Sequence, residues 1–538
     1  MTGVLIVGAG PTGLVLACDL LRRGAACRII ERSPGPQPGS RGFGVKPRTL
    51  AVLDALGAAR PVLDAGRPDT HLRVYLGTEP LLTRRTTART PSPAAPYPNG
   101  VSLPEWRTEA ILRERLAALG GAVEFGTSLT GFEQDADGVT ATVMTDGAER
   151  TVHVAYLVGC DGGGSTVRRL AGIAFTGRTD EDARALLADV EVRGPEPRDA
   201  GHLWLGAGGI MAIRPTPGAV TSQIVVSLEP GAPAEASAAE LRRLVAARSG
   251  RDDIELGEPE WLSIWRYNLR LAERYRDGRV FLAGDAAHVH SPFGAFGMNT
   301  GIQDAANLGW KLALALRARR TPSPGGTVEC LLDTYEGERR PVGRAVLDAS
   351  DRQFGAFTMP PRVLRPFLRG LARPVLASRD RRGRDDHPRY PAGPLTVQRV
   401  ARTRVRAGDT APDGGLRTAC GTPIRLYDLY RTPGFTLLTF GDVTPLPGPH
   451  ATDVRTYRIA PGTSRDIGAR QMAAGSRVPD GGALTDPRGR VRRRFGVPLG
   501  AMVLVRPDGY VGLVAGPGDT GTVAAYLDRA GAGAAAYA

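Results

Sequence analysis

Residues 4–13 read VLIVGAGPTG and decide the fold of the first part of the chain. The opening apolar residues are typical of a buried strand, and the glycines follow it with the spacing G-x-G-x-x-G. Residues 14–23 predict a helix that has a proline near its start and a glycine at its end. Residues 26–30 predict a second strand, which ends at Glu31. This strand–turn–helix–strand unit, closed by an acid, predicts a dinucleotide-binding domain.

The glycine turn has a direct physical role in such a domain. Glycines let the backbone approach a pyrophosphate, whose charge is stabilised at the N-terminus of the following helix. A carboxylate at Glu31 would accept hydrogen bonds from ribose hydroxyls and repel a 2′-phosphate, so the motif predicts FAD or NAD rather than NADP. The cofactor-binding residues predicted in this unit are Gly8, Gly10, Pro11, Thr12, Gly13, Glu31 and Arg32.

The composition limits the remaining possibilities. The chain has 538 residues, of which 42% are hydrophobic and 23% charged, as in a globular protein with a large core. Its net charge of +14 comes almost entirely from scattered arginines without a nucleic-acid-binding module, and no apolar run is long enough to span a bilayer. We therefore expect no nucleic-acid or membrane partner. The five cysteines lack a C-x-x-C pair, and no signal peptide is evident, so we expect a cytoplasmic protein without a metal site.

Two later segments distinguish the two candidate cofactors. Residues 279–288 read RVFLAGDAAH, a buried strand that ends in Gly-Asp, and GMNTG follows at residues 297–301. Such a strand can bring its aspartate to the ribityl hydroxyls of a flavin. The helix after it would direct its N-terminus at the flavin pyrimidine, where negative charge gathers on reduction. Together with residues 161–168, DGGGSTVR, this pattern favours FAD over NAD.

The glycine motif at residues 8–13, the segment at 161–168 and the strand ending in Gly-Asp at 279–288 follow one another in this order. Together they resemble the three signatures of the group A flavoprotein monooxygenases, the para-hydroxybenzoate hydroxylase superfamily. Within it, the chain is similar to the aromatic-polyketide hydroxylases of actinomycetes. The last part of the chain, from about residue 400, resembles their appended thioredoxin-like domain. The segments that carry the closer resemblance are LPEWRTE at 103–109, GIQDAANLGWKL at 301–312, TYEGERRP at 334–341 and LVRPDGY at 504–510.

The resemblance implies an activity. It implies non-covalent FAD, NADPH or NADH as a transient reductant, and O2 as co-substrate in the hydroxylation of a polycyclic aromatic phenol through a C4a-hydroperoxyflavin. Antibiotic or secondary-metabolite biosynthesis is the implied setting. A Baeyer–Villiger or ring-opening oxygenase, a flavin-dependent reductase or dehydrogenase, and a non-catalytic FAD-binding module are the alternatives. A monomer and a homodimer are both compatible with the sequence.

The resemblance also implies roles for individual residues. Arg41 would contact the flavin or help it to move, and the backbone of Pro292 would border its reacting edge. Glu105 stands where the family often has glutamine, and Phe296 replaces the glutamine of a Gly-Gly-Gln-Gly loop and is expected to shape the pocket wall. For His288 a structural hydrogen bond is favoured over a proton relay, as it is for His290. The other implied cofactor contacts are Asp161, Arg168, Gly284, Asp285, Gly297, Met298 and Asn299.

We therefore expect an α/β protein, α+β overall. Residues 1–175 would form the first part of a Rossmann-type FAD-binding domain of the para-hydroxybenzoate hydroxylase fold. Residues 176–272 would form a β-sheet substrate domain, to which residues 70–100 contribute. Residues 273–395 would complete the FAD domain and add a helical linker, and 396–538 would be thioredoxin-like. Because Cys420 is the only cysteine in that last stretch, we expect no dithiol chemistry there.

Overall fold

The structure is a computed structural model. It describes residues 2–39, 42–68, 71–85, 87–195, 199–206, 209–229, 231, 235–290, 296–319, 326–357, 388–441, 454–461 and 483–532. Two strands and the helix between them open the fold, as the glycine motif predicts. Three large β-sheets and a small three-stranded one organise these residues.

The helices in chain order are α1 (Pro11–Arg22), α2 (Pro47–Leu56), α3 (Ala59–Ala65), α4 (Glu105–Ala118), α5 (Thr166–Leu170), α6 (Ala238–Ser249), α7 (Gly297–Ala318), α8 (Gly326–Phe357), α9 (Leu426–Tyr430), α10 (Arg490–Phe495) and α11 (Thr520–Arg529), with a 3-10 turn at Gly284–Ala286. The strands are β1 (Thr2–Val7), β2 (Cys27–Glu31), β3 (Phe43–Val45), β4 (Arg67–Pro68), β5 (His71–Leu76), β6 (Glu79–Arg85), β7 (Val101–Pro104), β8 (Val123–Phe125), β9 (Thr127–Gln134), β10 (Val139–Thr145), β11 (Ala148–Gly159), β12 (Phe175–Arg193), β13 (Gly201–Gly206), β14 (Gly209–Pro215), β15 (Thr221–Ser227), β16 (Glu255–Leu256), β17 (Trp261–Ala272), β18 (Arg276–Asp277), β19 (Val280–Leu282), β20 (His288–Val289), β21 (Val397–Gln398), β22 (Gly415–Thr418), β23 (Pro423–Arg425), β24 (Phe435–Thr439), β25 (Val454–Pro461), β26 (Ala483–Asp486), β27 (Met502–Val505) and β28 (Val511–Ala515).

The first sheet carries the strands of the predicted dinucleotide-binding domain. Its order is β18-β19-β11-β1-β2-β8, and β10 joins β11 to β9. The central strand β1 is parallel to β2 and β11, and β11 is parallel to β19. Because parallel strands end at the same sheet edge, the glycine turn after β1 and the Gly-Asp turn after β19 lie on one side.

The second sheet has nine strands and consists mainly of antiparallel pairs, as the alternating sequence between residues 185 and 230 predicts. Its long strand β12 pairs with β17 on one side and with β15 on the other, and a register shift falls between Asp180 and Arg184. The hairpin β5–β6 joins this sheet through a parallel contact between β5 and β13. Residues 71–85 therefore share a sheet with strands that lie more than a hundred residues later.

The third sheet belongs to the C-terminal unit, which we define as the described residues from Val397 onward. Its order is β21-β28-β27-β24-β25-β26-β22-β23, with parallel and antiparallel pairs. One of its apolar clusters also takes Trp310 and Leu314 from α7, and the indole of Trp310 meets the ring of Phe435 edge-on at 5.6 Å. The mixed α/β class is confirmed, whereas the identification of this unit as thioredoxin-like stays a prediction.

Two elements differ from the sequence-based expectation in their bounds. The amphipathic repeat of residues 108–119 predicts a helix, which begins earlier, at Glu105, because Pro104 has extended backbone and occupies the cap position before it. The alternating residues 186–192 predict a short strand, and they lie inside the 19-residue strand β12. Among the described residues no helix is both long and apolar enough to cross a membrane.

The cysteines differ strongly in reactivity. Burial raises the pKa of Cys18 and of Cys27 to about 12, whereas hydrogen bonds from the hydroxyls of Thr418 and Thr422 lower the pKa of the exposed Cys420 to about 7. No second cysteine lies in the C-terminal unit to complete a disulfide exchange.

We expect iodoacetamide at neutral pH to alkylate Cys420 well before Cys18 and Cys27, as measured by peptide mass spectrometry, because the thiolate is the nucleophile.

Cys420→Ser should leave the NADPH oxidation implied by the resemblance within about twofold of the parent, since a lone thiol cannot carry dithiol exchange. An activity lost in the serine variant, or recovered in the parent only on adding external thiol, would contradict a structural role for this unit.

Candidate active site

A cavity of about 520 Å³ lies between the first and second sheets. One wall is formed by the glycine turn, the start of α4, the loop before α5 and the start of α7, and the opposite wall by the second sheet. The described lining residues on the first wall include Gly10, Pro11, Thr12, Gly42, Phe43, Gly44, Glu105, Glu109, Cys160, Gly162, Gly163, Gly164, Asp285, His290, Phe296, Gly297, Met298 and Asn299. Ten of the residues that the sequence singled out therefore line one cavity: Gly10, Pro11, Thr12, Glu105, Asp285, His290, Phe296, Gly297, Met298 and Asn299.

The glycine turn forms a cradle of bare backbone. Gly8 has φ +104°, and a Cβ there would stand 2.4 Å from the carbonyl oxygen of Cys160. A Cβ at Gly13 would stand 2.0 Å from the carbonyl oxygen of Gly8. At Gly10, by contrast, the nearest atom to a Cβ is a Glu109 carboxylate oxygen at 4.0 Å, so the backbone there borders open space. A cradle that is tight behind and open in front fits a pyrophosphate.

The N-termini of α1 and α7 border this cavity and have no acid in their first turn, unlike α4, which begins with Glu105. Helix α1 begins at Pro11 beside Gly10, and α7 begins at Gly297. Neither start has a side-chain hydrogen bond from its N-cap residue. The amide groups of a first helical turn carry partial positive charge and bind anions well. The first wall therefore offers two electropositive ends to an anionic cofactor.

Glu31 is held at the end of β2. Its carboxylate accepts hydrogen bonds from the backbone amides of Ala9 and Ser33, each at 3.0 Å. A carboxylate oxygen accepts more than one bond, so both oxygens can still bind hydroxyls. Arg32 beside it is exposed. This geometry fits a ribose acceptor next to the cradle.

The Gly284–Asp285 turn is built by packing against the first glycine motif. A Cβ at Gly284, where φ is +60°, would stand 2.6 Å from the hydroxyl of Thr12, and one at Gly301 would stand 2.2 Å from it. The amide of Gly284 donates to the carboxylate of Asp304 at 3.1 Å. Asp285 is exposed at the cavity, where a ribityl chain could reach it.

Asp161 and Arg168 hold the third signature in place through internal bonds. The carboxylate of Asp161 accepts bonds from the Ser165 hydroxyl at 2.5 Å and from the Thr166 amide at 2.6 Å. The guanidinium of Arg168 donates to the carbonyl oxygens of Ala286 and Gly163, both at 2.8 Å. The cavity lining comes instead from the glycines at 162–164, so these two side chains are aimed at the protein and position the loop that contacts the cavity.

The two histidines have different places. His288 is buried, and its Nε2 lies 2.7 Å from a carboxylate oxygen of Asp304, which agrees with the structural hydrogen bond expected for it. His290 lines the cavity and meets the ring of Phe296 edge-on at 6.3 Å. Arg41 and Pro292, expected at the flavin, lie outside the described residues.

The start of α7 is tied to the loop opposite it. The side-chain oxygen of Asn299 accepts from the Lys46 amide at 2.9 Å, and its nitrogen donates to the carbonyl of Gly44 at 3.1 Å. The ammonium of Lys46 stands 3.4 Å from the centre of the Phe296 ring, a cation–π contact. Phe296 lines the cavity, as expected from its replacement of a polar residue.

Two acids at the start of α4 add negative charge. The carboxylate of Glu105 accepts from the Gly42 amide at 2.8 Å, and its own amide donates to the Gly42 carbonyl at 3.1 Å. Burial, then the charge of Glu105, raises the pKa of Glu109 to about 7, although Arg113 at 3.4 Å opposes this. Glu109 is not among the site residues predicted from the sequence, although its i, i+4 spacing from Glu105 on a helix places the two acids on one face.

The second wall has a different chemistry. It presents apolar and aromatic surface together with two arginines and two amides, and no acid is among its described lining residues. These residues are Leu187, Ala212, Arg214, Gln223, Val225, Ile264, Trp265, Arg266, Asn268 and, from the edge strand β20, Val289. Such a wall suits a planar ring system that carries oxygen substituents.

Comparison with known proteins identifies the family. The FAD binding domain model matches residues 1–350. This chain belongs to that family. It is 38% identical to a flavin-dependent monooxygenase of Mycobacteroides abscessus, over 98% of this chain and 99% of that one, and 36% identical to the 6-methylpretetramide 4-monooxygenase of Streptomyces rimosus, over 97% and 92%. A ternary complex of aklavinone-11 hydroxylase with FAD and aklavinone has a TM-score of 0.76 and 26% identity, covering 98% of each chain.

The comparisons confirm two expectations. The resemblance to FAD-dependent aromatic monooxygenases, with polyketide hydroxylases among the relatives, is confirmed, and so is the assignment as a flavoprotein monooxygenase. The glycine cradle and the two helix starts fit the FAD of this family. The roles of the individual residues stay predictions, which the following variants test.

We expect Glu31→Ala and Asp285→Ala each to weaken FAD binding in this FAD-binding-domain protein. Loss of a charged hydrogen bond costs about 1.5–3 kcal/mol, so the dissociation constant should rise roughly tenfold or more in each variant. Quenching of flavin fluorescence on titration measures it. Glu149→Ala, which removes an exposed acid from β11, is the control and should bind FAD like the parent. Unchanged affinity in both site variants would contradict the assignment.

FAD binding should also depend on pH through Glu109. Since its raised pKa of about 7 makes it neutral below that pH and ionised above, a pyrophosphate at Gly10 would favour the protonated form. We expect the FAD dissociation constant to rise several-fold between about pH 6 and about pH 8. Glu109→Gln should flatten this profile, whereas Glu114→Gln, an exposed acid on the same helix, should keep it. A pH dependence that survives in Glu109→Gln would assign it to another group.

Proposed function

We propose that this protein is an FAD-dependent monooxygenase that uses NADPH or NADH and O2 to hydroxylate a polycyclic aromatic phenol. The observation that carries the proposal is the single cavity between two unlike walls. One wall offers backbone amides and helix starts to an anionic cofactor, and the other offers aromatic, apolar and cationic side chains to a second molecule. The names of the relatives, which include a 6-methylpretetramide 4-monooxygenase and an aklavinone-11 hydroxylase, support this substrate class.

The first wall is proposed to hold FAD without a covalent bond. The turn at Gly10 and the start of α1 would bind the pyrophosphate, Glu31 the adenosine ribose, and Asp285 the ribityl chain. The N-terminus of α7, which Met298 and Asn299 bring to the cavity, would stabilise negative charge on the pyrimidine ring. When bound, FAD supplies the activation of O2 with electrons from the nicotinamide.

The second wall is proposed to orient the aromatic substrate. Trp265 offers a ring surface for stacking, to which Phe296 adds a second one from the first wall, and Gln223 offers an amide to a phenolic oxygen. The guanidinium of Arg214 would stabilise the negative charge of a phenolate, which makes the ring more electron-rich. A cavity of about 520 Å³ lies within the usual range of ligand pockets of roughly 300–1,000 Å³.

The nicotinamide is proposed to bind only briefly. The sequence contains a single dinucleotide fingerprint, and the glycines at 162–164 leave an open, side-chain-free stretch of the cavity rim. A transient encounter there would let the reductant leave before the substrate is oxidised.

The domain bounds given above, a cytoplasmic location and a role in antibiotic biosynthesis belong to the same proposal. The five free cysteines support a location in a reducing compartment.

The test is oxygen incorporation. Purified protein with FAD and NADPH should oxidise the nicotinamide slowly alone and at least several-fold faster with a suitable polycyclic phenol, because a substrate-gated encounter avoids wasteful turnover. Under ¹⁸O2, mass spectrometry should find one labelled oxygen in the product as a new hydroxyl.

Three other results would overturn the proposal in different ways. A labelled ester or lactone would indicate a Baeyer–Villiger oxygenase on the same fold. An unlabelled oxidised product would indicate a reductase or dehydrogenase. Nicotinamide oxidation that no tested aromatic accelerates would favour a non-catalytic FAD-binding protein.

The variant Arg214→Gln tests the role of the second wall and should raise KM for the phenol. The surface variant Arg243→Gln on α6 is its control and should keep the KM of the parent.

A further inference from the structure

Helices α7 and α8 are joined by a buried ion pair near the cofactor site. Arg339 on α8 donates to a carboxylate oxygen of Asp304 on α7 at 2.6 Å, and both side chains are fully buried. The other oxygen of Asp304 accepts the Gly284 amide. Arg339 also donates to the carbonyl of Thr300, in the first turns of α7. Arg339 and Asp304 thus connect α8 to the turn that carries Asp285.

The neighbouring residue on α8 begins a second buried cluster. The carboxylate of Glu338 accepts from the ammonium of Lys311 at 2.9 Å and from the amide of Asn307 at 2.8 Å. Lys311 also donates to the side-chain oxygen of Asn307 at 2.8 Å. All three side chains are buried. Because Glu338 and Arg339 are adjacent, the two clusters fix the same turn of α8.

The C-terminal unit completes this second cluster. Arg506 donates through both terminal nitrogens to the two carboxylate oxygens of Glu338, and it also bonds Asp508. The carboxylate of Asp508 accepts from Asn307 at 3.3 Å, and its backbone carbonyl accepts from Arg48 of α2 at 2.7 Å. The residues at 506–508 thus touch three helices of the FAD-binding part.

The charges of this cluster balance. Glu338 and Asp508 carry two negative charges, and Lys311 and Arg506 carry two positive ones, all with side-chain exposures of 1% or less. A buried carboxylate is stable only when paired. Removing Arg506 alone would leave Glu338 and Asp508 sharing one cation, and the resulting repulsion would act on α8 at Glu338.

We propose that Arg506 and Asp508 are positioning residues for the cofactor site, through which the C-terminal unit sets α8 against α7 and so the Gly284–Asp285 turn. The path runs from Arg506 to Glu338, through the adjacent Arg339 to Asp304, and from Asp304 to the amide of Gly284. The proposal goes beyond the assigned role of the first wall and rests on FAD binding there. It gives the C-terminal unit a task other than redox chemistry or self-association.

The experiment uses the full-length chain with Arg506→Met, the double variant Arg506→Met/Asp508→Asn and the control Arg404→Met, which removes an exposed arginine from the same unit. We expect the FAD dissociation constant of Arg506→Met to rise by roughly 3- to 30-fold, as for other residues that couple to a site without touching its ligand. Hydrogen exchange of the FAD-free protein should become faster in peptides covering residues 280–304. Arg404→Met should match the parent in both measurements.

The double variant keeps the test decisive if the single one folds poorly. It restores the charge balance yet still lacks the bridge to Glu338, so it should fold and still show weaker FAD binding and faster exchange at 280–304. A double variant that binds FAD like the parent and keeps its exchange pattern would overturn the inference. Weaker binding without any change in exchange over 280–304 would also overturn it, because the effect would not pass through the turn.

These outcomes are separate from those of the proposed function. If the parent protein itself fails to bind FAD, or if Glu31→Ala and Asp285→Ala bind it unchanged, the proposed cofactor site fails. If the parent binds FAD and the Arg506 variants bind it equally well, only the positioning role fails.

Discussion

The cofactor side of this structure depends on the ion pair and hydrogen bonds that the buried carboxylate of Asp304 makes. Burial alone would raise its pKa, but Arg339 and then His288 lower it below the usual range, so the group stays ionised with no solvent contact. One carboxylate thereby joins a helix pair, a histidine that follows the Gly-Asp turn and the amide of Gly284. Replacing any one partner would leave charge or a polar group unpaired in a dry interior.

The site pairs this fixed frame with an uneven distribution of charge. Glu31, Glu105, Glu109 and Asp285 lie around the proposed seat of a cofactor that is itself anionic. Two helix N-termini and the bare amides of the glycine turn offset that repulsion for the phosphates, and protonation of Glu109, whose pKa is raised to about 7, removes one of the four charges as the pH falls below that value. The arginines that line the cavity are on the opposite wall, so the charged side chains that line the two walls differ in sign.

The sequence predicts what is encoded locally. The first βαβ unit follows from a short apolar strand, glycine spacing and a helix with proline at its start, and helix α2 follows from Pro47 and the left-handed Gly57. The direction of Asp161 could not be predicted, because a loop acid can face a ligand or cap the next helix, and here it binds the amides of that helix. The roles of Asp304 and Glu338 depend on partners 35 and 168 residues away, which no local pattern reveals.

The C-terminal unit shows why these distant pairs matter. Apolar contacts such as that of Trp310 with Phe435 supply area for docking, but such contacts are non-directional and tolerate sliding. The two hydrogen bonds from Arg506 to the carboxylate oxygens of Glu338 would break if the C-terminal unit slid, because a bidentate pair fixes distance and orientation together. Ionic pairs in a dry interior add little net stability but penalise every wrong register. The distance along α7 from Lys311 to Asn299 at its start is some 18 Å. To keep its place at the cavity, the start of α7 requires both an apolar surface that attaches the C-terminal unit and an ion cluster that sets the register of that unit.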